Sequence, residues 1–258
     1  MTPVIAIVNQ KGGVGKTTTA VNLAAFLAAA GKRVLLVDSD PQGNATSGLG
    51  VSKAQLTHCI YDVLINDAPV TDVTVATEMP GLDLVPATIN LAGAEIELVS
   101  EMSREVRLAR ALDSVRERYD YILIDSPPSL GLITLNVLAA SSAILIPIQC
   151  EYYALEGITQ LMNTVQMVRK HLNQHLQILG VVLTMHDYRT RLSSEVIREV
   201  RGYFKESVFE TIIPRNVKLS EAPSHGQPIN QYDPRSRGAE AYELLAAEVM
   251  RIGEEGTR

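Results

Sequence analysis

Chemistry in this sequence is concentrated in a glycine-rich segment near the N-terminus, residues 9–19, whose sequence is NQKGGVGKTTT. An apolar run before it predicts a buried strand, and an alanine- and leucine-rich run after it predicts a helix. Glycines in this position let backbone N–H groups turn inward around an anion, beside the positive end of the helix. Lys16 can reach the outer phosphates of a nucleotide, and the Thr17 hydroxyl can bind Mg²⁺. The segment therefore predicts a phosphate-binding loop rather than a flexible turn.

Carboxylates follow two of the predicted strands and complete the expected site. Asp38 and Asp40 come directly after the second apolar run, and Asp125 ends a later one, residues 121–125. The carboxyl ends of parallel strands meet at one edge of a sheet, where such proteins place their ligands. A carboxylate there can bind a metal or orient a water, although Asp40 could instead cap a helix. Asp125 is the expected partner of Thr17 at a Mg²⁺ site.

Apolar runs alternate with amphipathic segments along the 258 residues. This alternation predicts an α/β protein with a single doubly wound, mainly parallel sheet flanked by helices, in one domain of residues 1–258. Besides the strands already named, strands are expected at residues 82–86, 143–147 and 178–184. Helices are expected at residues 55–65, 91–100, 104–118, 130–140, 151–171, 191–204 and 238–252, followed by a polar tail at residues 253–258.

Charge is distributed unevenly along the chain, although the net charge is only −6. Residues 186–237 hold 9 Lys/Arg and 7 Asp/Glu, a balance of +2, whereas the remainder holds 14 and 22, a balance of −8. A local basic face is therefore compatible with an acidic protein. The two cysteines, Cys59 and Cys150, are far apart, which predicts reduced thiols in a cytoplasmic protein. No apolar run approaches the length of a membrane span, so no membrane partner is expected.

The phosphate loop departs from the plain pattern, which would place glycine where Gln10 stands. The form KGGVGKTT at residues 11–18 resembles the deviant Walker A loop of the ParA/MinD group of P-loop ATPases. Three further segments resemble motifs of the ParA/Soj-type chromosome-partitioning ATPases: VDSDPQGN at residues 37–44, IDSPP at residues 124–128, and residues 212–224. The resemblance extends over nearly the whole chain and is much more specific than a phosphate loop alone.

This resemblance implies individual roles. Lys11 would reach across a dimer to the partner's nucleotide, acting in catalysis with Lys16 and with Asp40, which would position the attacking water. Pro214 and Asn216 would contact the adenine, although the residues themselves equally predict a capped loop before a short helix. The nucleotide-binding residues would be Lys11, Gly12, Gly13, Val14, Gly15, Lys16, Thr17, Thr18, Pro214 and Asn216. The Mg²⁺ ligands would be Thr17 and Asp125.

The resemblance also implies a slow, switch-type, Mg²⁺-dependent ATP hydrolase that cycles between ATP and ADP. Its ATP-bound homodimer would bind duplex DNA non-specifically, and a ParB-like centromere-binding partner would stimulate hydrolysis and release the DNA. Such a protein would be cytoplasmic and nucleoid-associated. The resemblance points most directly to Arg189 and Lys218 for DNA contact, and the charge distribution adds four further basic residues. Solvated helix faces paired with nearby acids would give the same distribution of charge. The candidate DNA-binding residues are Arg189, Arg191, Arg198, Arg201, Arg215 and Lys218.

Other classes share the phosphate loop. A MinD-like cell-division regulator would need a basic amphipathic C-terminal helix, whereas here the last helix is followed by Glu254 and Glu255. An iron–sulfur reductase would need two suitably placed cysteines per subunit. A metabolic P-loop enzyme, such as a kinase or an amide ligase, would need a second substrate pocket. ATP turnover without any substrate would favour the switch over that enzyme.

Overall fold

Short, fully buried apolar runs form the strands of one sheet in the computed structural model, which describes residues 2–255. The strands are β1 (Val4–Ile7), β2 (Val34–Asp38), β3 (Val75–Ala76), β4 (Leu82–Val85), β5 (Tyr121–Asp125), β6 (Ala143–Gln149), β7 (Gln177–His186) and β8 (Val208–Pro214). Their order in the sheet is β3-β4-β2-β5-β1-β6-β7-β8. Every neighbouring pair is parallel except β3 with β4, which is antiparallel. The prediction of a doubly wound, mainly parallel α/β sheet is confirmed.

Helices cover both faces of the sheet. They are α1 (Lys16–Ala29), α2 (Asn44–Gly48), α3 (Ile60–Ile65), α4 (Val70–Val73), α5 (Leu91–Glu97), α6 (Arg107–Asp113), α7 (Leu132–Ala140), α8 (Ile158–His171), α9 (Arg191–Phe204), α10 (Val217–Glu221), α11 (Ile229–Tyr232) and α12 (Arg237–Glu255). Successive residues of a strand point to opposite faces, so Val4 and Ala6 join one hydrophobic cluster and Ile5 and Ile7 the other. Helices α1 and α12 cover the second cluster, and α3 and α5 to α9 cover the first.

The register of the central strands determines where the chemistry lies. Asp125 at the end of β5 pairs with Ile7 at the end of β1 and with Asp38 at the end of β2. The phosphate loop begins directly after β1, so loop and carboxylates meet at the same edge of the sheet, as expected for an open parallel sheet.

Several predicted helix boundaries are wrong because local turns override the periodic pattern. The helix predicted at residues 151–171 begins only at Ile158, because Tyr153 (φ 64°) and Gly157 (φ 79°) adopt left-handed conformations that end helical structure. The helix predicted at residues 55–65 is only α3, since the Asp62 carboxylate accepts the backbone N–H of Cys59 at 2.9 Å and starts the helix there.

Tertiary contacts account for the remaining differences. The helix predicted at residues 104–118 is reduced to α6, where the Asn136 amide donates to the Arg104 carbonyl oxygen and accepts the N–H of Leu108. Strands β3 and β8 were not predicted. The last helix extends to Glu255, into the predicted tail, and residues 256–258 of that tail lie outside the described residues. Within residues 2–255, no helix combines the length and apolar character needed to cross a membrane.

A close approach of two glycines joins the end of α2 to the turn before α11, and it generates a stability prediction. A Cβ on Gly226 (φ 65°) would lie 2.6 Å from the Cα of Gly50. We expect Gly226→Ala to lower the free energy of unfolding by about 2 kcal/mol or more, through backbone strain and this clash. Gly202→Ala is the matched control: it lies in α9 with no atom within 4 Å of its Cβ, and should raise stability by up to about 1 kcal/mol. Urea unfolding measures both, and a Gly226→Ala protein as stable as wild type would contradict the packing.

Candidate nucleotide-binding site

The phosphate loop is held open by left-handed glycines. Gly13 has φ 76° and Gly15 has φ 88°, conformations that side chains disfavour. A Cβ placed on Gly12 or Gly13 would meet no atom within 4 Å, so the loop presents its backbone to open space. Behind the loop, the Thr184 hydroxyl donates to the carbonyl oxygen of Val14 at 2.8 Å. The loop is therefore braced on its inner side and free on its outer side, as an anion cradle requires.

The two lysines of the loop are in different environments. Lys16 is only 7% exposed, and its Nζ donates to the carbonyl oxygen of Lys11 at 3.1 Å. Burial lowers the pKa of Lys16, whereas nearby Asp125 and Asp40 act to raise it. The side chain of Lys11 is half-buried and forms no ion pair with any residue in 2–255. Lys16 thus faces inward at the strand ends, and Lys11 remains available to a bound group.

The Asp125 carboxylate is fully buried, and neither of its oxygens has a hydrogen-bond partner among the described residues. Burial raises the pKa of Asp125 well above its usual range, and nearby Asp38 raises it further. The Thr17 hydroxyl and Lys16 lower the pKa of Asp125, although no hydrogen bond of ordinary geometry joins Thr17 to the carboxylate. A buried carboxylate without a partner calls for a bound cation, so the residues present fit a metal held here.

The donor set suits Mg²⁺ in particular. No cluster of three or more His, Cys, Asp or Glu side chains able to hold a metal occurs in the part of the chain that the structure describes. Mg²⁺ is commonly held by one or two protein oxygens, with waters and nucleotide phosphates completing its shell. Thr17 and Asp125 are the two side chains placed to supply those oxygens.

Asp38 and Asp40 have different roles, which the sequence did not separate. Asp38 accepts the N–H and the hydroxyl of Thr46 at 2.8 and 2.7 Å, and burial raises its pKa to about 6. Asp38 therefore caps α2, and the alternative that Asp40 is a helix cap is wrong. Among residues 2–255, the Asp40 side chain accepts a single hydrogen bond, from the N–H of Gln42 within its own turn at 2.9 Å, and lies at the edge of the site. The Thr46 hydroxyl also accepts the N–H of Ala87 at 2.9 Å, a role with no sequence signal.

A cavity of about 340 Å³ lies between the phosphate loop and the segment after β8. It is lined by Gly15, Thr18, Thr184, Met185, Ile213, Pro214, Arg215, Asn216, Leu219, Ser220, Pro223 and Tyr242. Pro214 and Asn216, predicted to contact adenine, thus lie beside the loop. The Asn216 side chain also accepts the N–H of Lys218 at 2.8 Å and caps α10, so the alternative of a capped loop before a short helix holds as well. Tyr242, fully buried and hydrogen-bonded to Thr19, was not predicted because it comes from the distant α12.

The structure brings two of the candidate DNA-binding residues together. Arg189 and Arg215 line one depression of about 510 Å³ beyond the ends of β6 and β7. Both are paired with acids in it: Arg189 with Asp187 at 2.8 Å, and Arg215 with Glu151 at 2.7 Å. The local positive charge is therefore largely balanced within the free protein.

The other candidates are spread around this depression. Lys218 lies on neighbouring α10 and pairs with Glu221 at 2.8 Å. Arg198 and Arg201 are exposed on α9, two to three turns beyond its start, and form no ion pair with any described residue. Arg191 is exposed at the start of α9 and likewise forms no ion pair with a described residue. The six candidates thus form two groups, three paired with acids and three unpaired.

The buried Asp125 carboxylate should destabilise the ligand-free protein when it is charged. We expect Asp125→Asn to raise the free energy of unfolding of the ligand-free protein by about 1–3 kcal/mol at pH 8, because it removes a buried charge without a partner. The stability difference between Asp125→Asn and wild type should shrink as the pH falls. Because the pKa of Asp125 is raised in the folded protein, the wild-type carboxyl becomes neutral at lower pH and no longer destabilises the fold. Asp120→Asn, at an exposed pair with Arg33, is the control and should change stability by at most about 1 kcal/mol. Denaturant unfolding at two pH values measures the free energy of unfolding of each variant. An Asp125→Asn protein less stable than wild type at pH 8 would show that the charged carboxylate has a partner.

Comparison with known proteins identifies the family. A family model described as an AAA domain matches residues 2–178. The chain is 65% identical over 253 residues to the sporulation initiation inhibitor protein Soj of Bacillus subtilis, covering 98% of this chain and 100% of Soj. It is 56% identical to the chromosome partitioning protein ParA of Myxococcus xanthus, over 96% of this chain and 88% of ParA.

A solved structure agrees with this assignment of fold. Cobyrinic acid a,c-diamide synthase from Mycobacterium smegmatis, with bound ADP and magnesium, is 38% identical and superposes with a TM-score of 0.88, over 99% of this chain and 97% of that one. These similarities extend over nearly the full length of the chain, and they agree with the phosphate loop and with the carboxylate at the end of β5. The chain belongs to the Soj/ParA family of chromosome-partitioning ATPases.

Proposed function

We propose that this protein is a Mg²⁺-dependent ATP hydrolase that works as a switch in chromosome or plasmid partitioning, as one ATPase domain of residues 1–258. The observation that carries the proposal is the buried, unpartnered Asp125 carboxylate beside Lys16 and Thr17 on an open phosphate loop. Family membership supports the same activity, since the relatives include proteins named as chromosome-partitioning ATPases. The place of action would be the cytoplasm, on the nucleoid.

Each residue of the site has a task in this proposal. Backbone N–H groups of the loop bind the phosphates, and the buried Lys16 contacts the outer ones, where low polarity strengthens its charge. Thr17 and Asp125 would hold Mg²⁺, which when bound neutralises charge on the phosphates. Asp40, at the edge of the site, orients the attacking water. The cavity next to Pro214 and Asn216 receives the adenine.

Lys11 supports a nucleotide-dependent dimer. Its side chain forms no ion pair with any described residue, while the loop's own phosphates already have Lys16. Supplied to the nucleotide of a second copy, Lys11 would neutralise charge that builds up on the γ-phosphate. ATP would then hold two copies together, and hydrolysis would separate them.

DNA binding would follow from dimerisation. One copy offers only a modest basic surface, since Arg189, Arg215 and Lys218 are paired with acids. Two copies would present this surface twice, and phosphate contacts add through counterion release. Such contacts are blind to sequence. A ParB-like partner would stimulate hydrolysis and so release the DNA.

Two rival functions are less well supported. The similarity to a diamide synthase favours a substrate-dependent amide ligase as the second candidate, which would need a substrate to turn over ATP. A MinD-like membrane role would need a free apolar face on the last helix. In α12 that face is occupied by the protein's own core, through Tyr242, Leu245 and Val249.

Hydrolysis by site variants is the direct test. We expect wild-type protein to hydrolyse ATP with Mg²⁺ and no second substrate. Asp40→Ala should still bind ATP but lose at least about 100-fold in turnover and accumulate as a dimer, because water activation fails. Lys16→Ala is the control for binding and should lose ATP affinity. Phosphate release, isothermal titration and light scattering measure the three properties. Turnover only with an added amide substrate, or a monomeric ATP-bound Asp40→Ala protein, would contradict the switch.

DNA binding is tested with the hydrolysis-deficient protein. Asp40→Ala should shift duplex DNA of any sequence in gels with ATP but not with ADP, and the shift should weaken steeply between 50 and 200 mM salt, values chosen to span about a fourfold range. Adding Arg189→Glu and Lys218→Glu should abolish it. Adding Arg110→Glu and Arg118→Glu, at two exposed arginines in and after α6, is the charge-matched control and should not. Equal binding in both nucleotide states argues against the switch, and full binding by the Arg189/Lys218 variant argues against this surface.

A further inference from the structure

A buried hydroxyl behind the phosphate loop contacts both residues of one loop peptide. The Thr184 side chain is 2% exposed, and its Oγ1 donates to the carbonyl oxygen of Val14 at 2.8 Å. The same side chain packs against the next residue, since a Cβ on Gly15 would lie 3.8 Å from Thr184 Cγ2. Thr184 is therefore in a position to control which way the Val14–Gly15 peptide faces.

The orientation of this peptide decides what the loop presents to a ligand. No peptide bond among residues 2–255 is cis, so the N–H of Gly15 points away from the carbonyl oxygen of Val14. Because that oxygen faces Thr184 behind the loop, the N–H faces the outer side, and it donates no hydrogen bond to any described residue. The Gly15 N–H is thus one of the donors that the loop offers to an anion.

Glycine leaves the orientation of this peptide open. Rotating the peptide changes only ψ of Val14 and φ of Gly15, so the Val14 side chain need not move. Gly15 has φ 88°, and glycine adopts negative φ about as readily. After such a rotation the Val14 carbonyl oxygen would face the phosphates and repel them. Within residues 2–255, Thr184 is the one hydrogen-bond donor to this carbonyl oxygen, so its hydroxyl selects the orientation that binds anions.

Thr184 is itself held in place. It pairs with Gln149 of β6 in the sheet register, and its carbonyl oxygen accepts the N–H of Cys150 at 2.9 Å. Its β-branched side chain has few alternative rotamers, and its hydroxyl has a single hydrogen, which is donated to Val14. A donor fixed in this way on an interior strand gives the loop a rigid reference point.

We propose that Thr184 is a positioning residue for phosphate binding: its hydroxyl fixes the Val14–Gly15 peptide so that the N–H of Gly15 faces the phosphates of a bound nucleotide. This role rests on the proposed nucleotide binding and needs no contact between Thr184 and the ligand. Thr184 also lines the cavity assigned to adenine, so a direct contact with the base is the alternative that the test must separate.

Inorganic tripolyphosphate separates the two roles, because it has the phosphates of ATP but no base. Isothermal titration with Mg²⁺ measures the affinity for ATP and for tripolyphosphate. Thr184→Val keeps the shape of the side chain but leaves the Val14 carbonyl oxygen without its donor. Both affinities should therefore fall by the same factor, at least about tenfold.

Two further variants isolate the hydroxyl. Thr184→Ser keeps the donor and should bind both ligands within about threefold of wild type. Thr74→Val is the matched control, because it removes a hydroxyl that donates to the Val70 carbonyl oxygen at 2.7 Å beside α4, and it should bind within about twofold of wild type. If Thr184→Val does not fold, Thr184→Ser against Thr184→Ala, which differ only in the hydroxyl, gives the same comparison.

Three results would overturn the role of Thr184. Loss of ATP affinity in Thr184→Val with unchanged tripolyphosphate affinity would show that Thr184 acts on the base. Equal losses in Thr184→Val and Thr184→Ser would show that shape matters and the hydroxyl does not. Wild type that binds ATP but no tripolyphosphate would show that the loop does not hold phosphates by itself. Wild type that binds ATP without hydrolysing it contradicts the proposed ATPase function, whereas the binding comparison stands.

Discussion

The Asp125 carboxylate is fully buried at the end of β5 without a hydrogen-bond partner among residues 2–255, so its charge must be balanced by a bound group. Most of the site follows from this constraint. The sheet register brings the ends of β1 and β2 against it, and the loop after β1 carries the buried Lys16. Burial, and then the nearby Asp38, raise the pKa of Asp125, so the charged carboxylate is disfavoured unless a cation lies beside it.

Charge differs between two regions of the molecule. Residues 186–237 carry the excess of basic residues beyond the ends of β6 and β7, whereas residues 54–103 carry 8 acids and no Lys/Arg. The first region reaches the nucleotide site through the segment around Asn216, which lines the cavity beside the phosphate loop.

Features carried by neighbouring residues were predictable from the sequence. The phosphate loop, the strand ending in Asp125 and α9 (Arg191–Phe204) occur where the pattern indicated, because each depends on local periodicity and glycine placement. Features that depend on distant residues were not. The helix expected from residue 151 starts at Ile158, in a region where the Gln10 side chain lies against Gly157. No sequence pattern reports that contact.

The type of site follows from local sequence, because the loop and its carboxylates combine residue types and spacings that serve one chemistry. Local sequence also determined the parallel α/β class, since apolar runs alternated with helical segments. Which carboxylate caps α2 and which has no hydrogen-bond partner among residues 2–255 depends on tertiary contacts, because Thr46 faces Asp38 and no described donor bonds to Asp125. Tertiary structure alone placed Tyr242 beside the loop and paired Arg189 and Arg215 with acids. These outcomes depend on contacts between residues far apart in the chain, which local patterns do not encode.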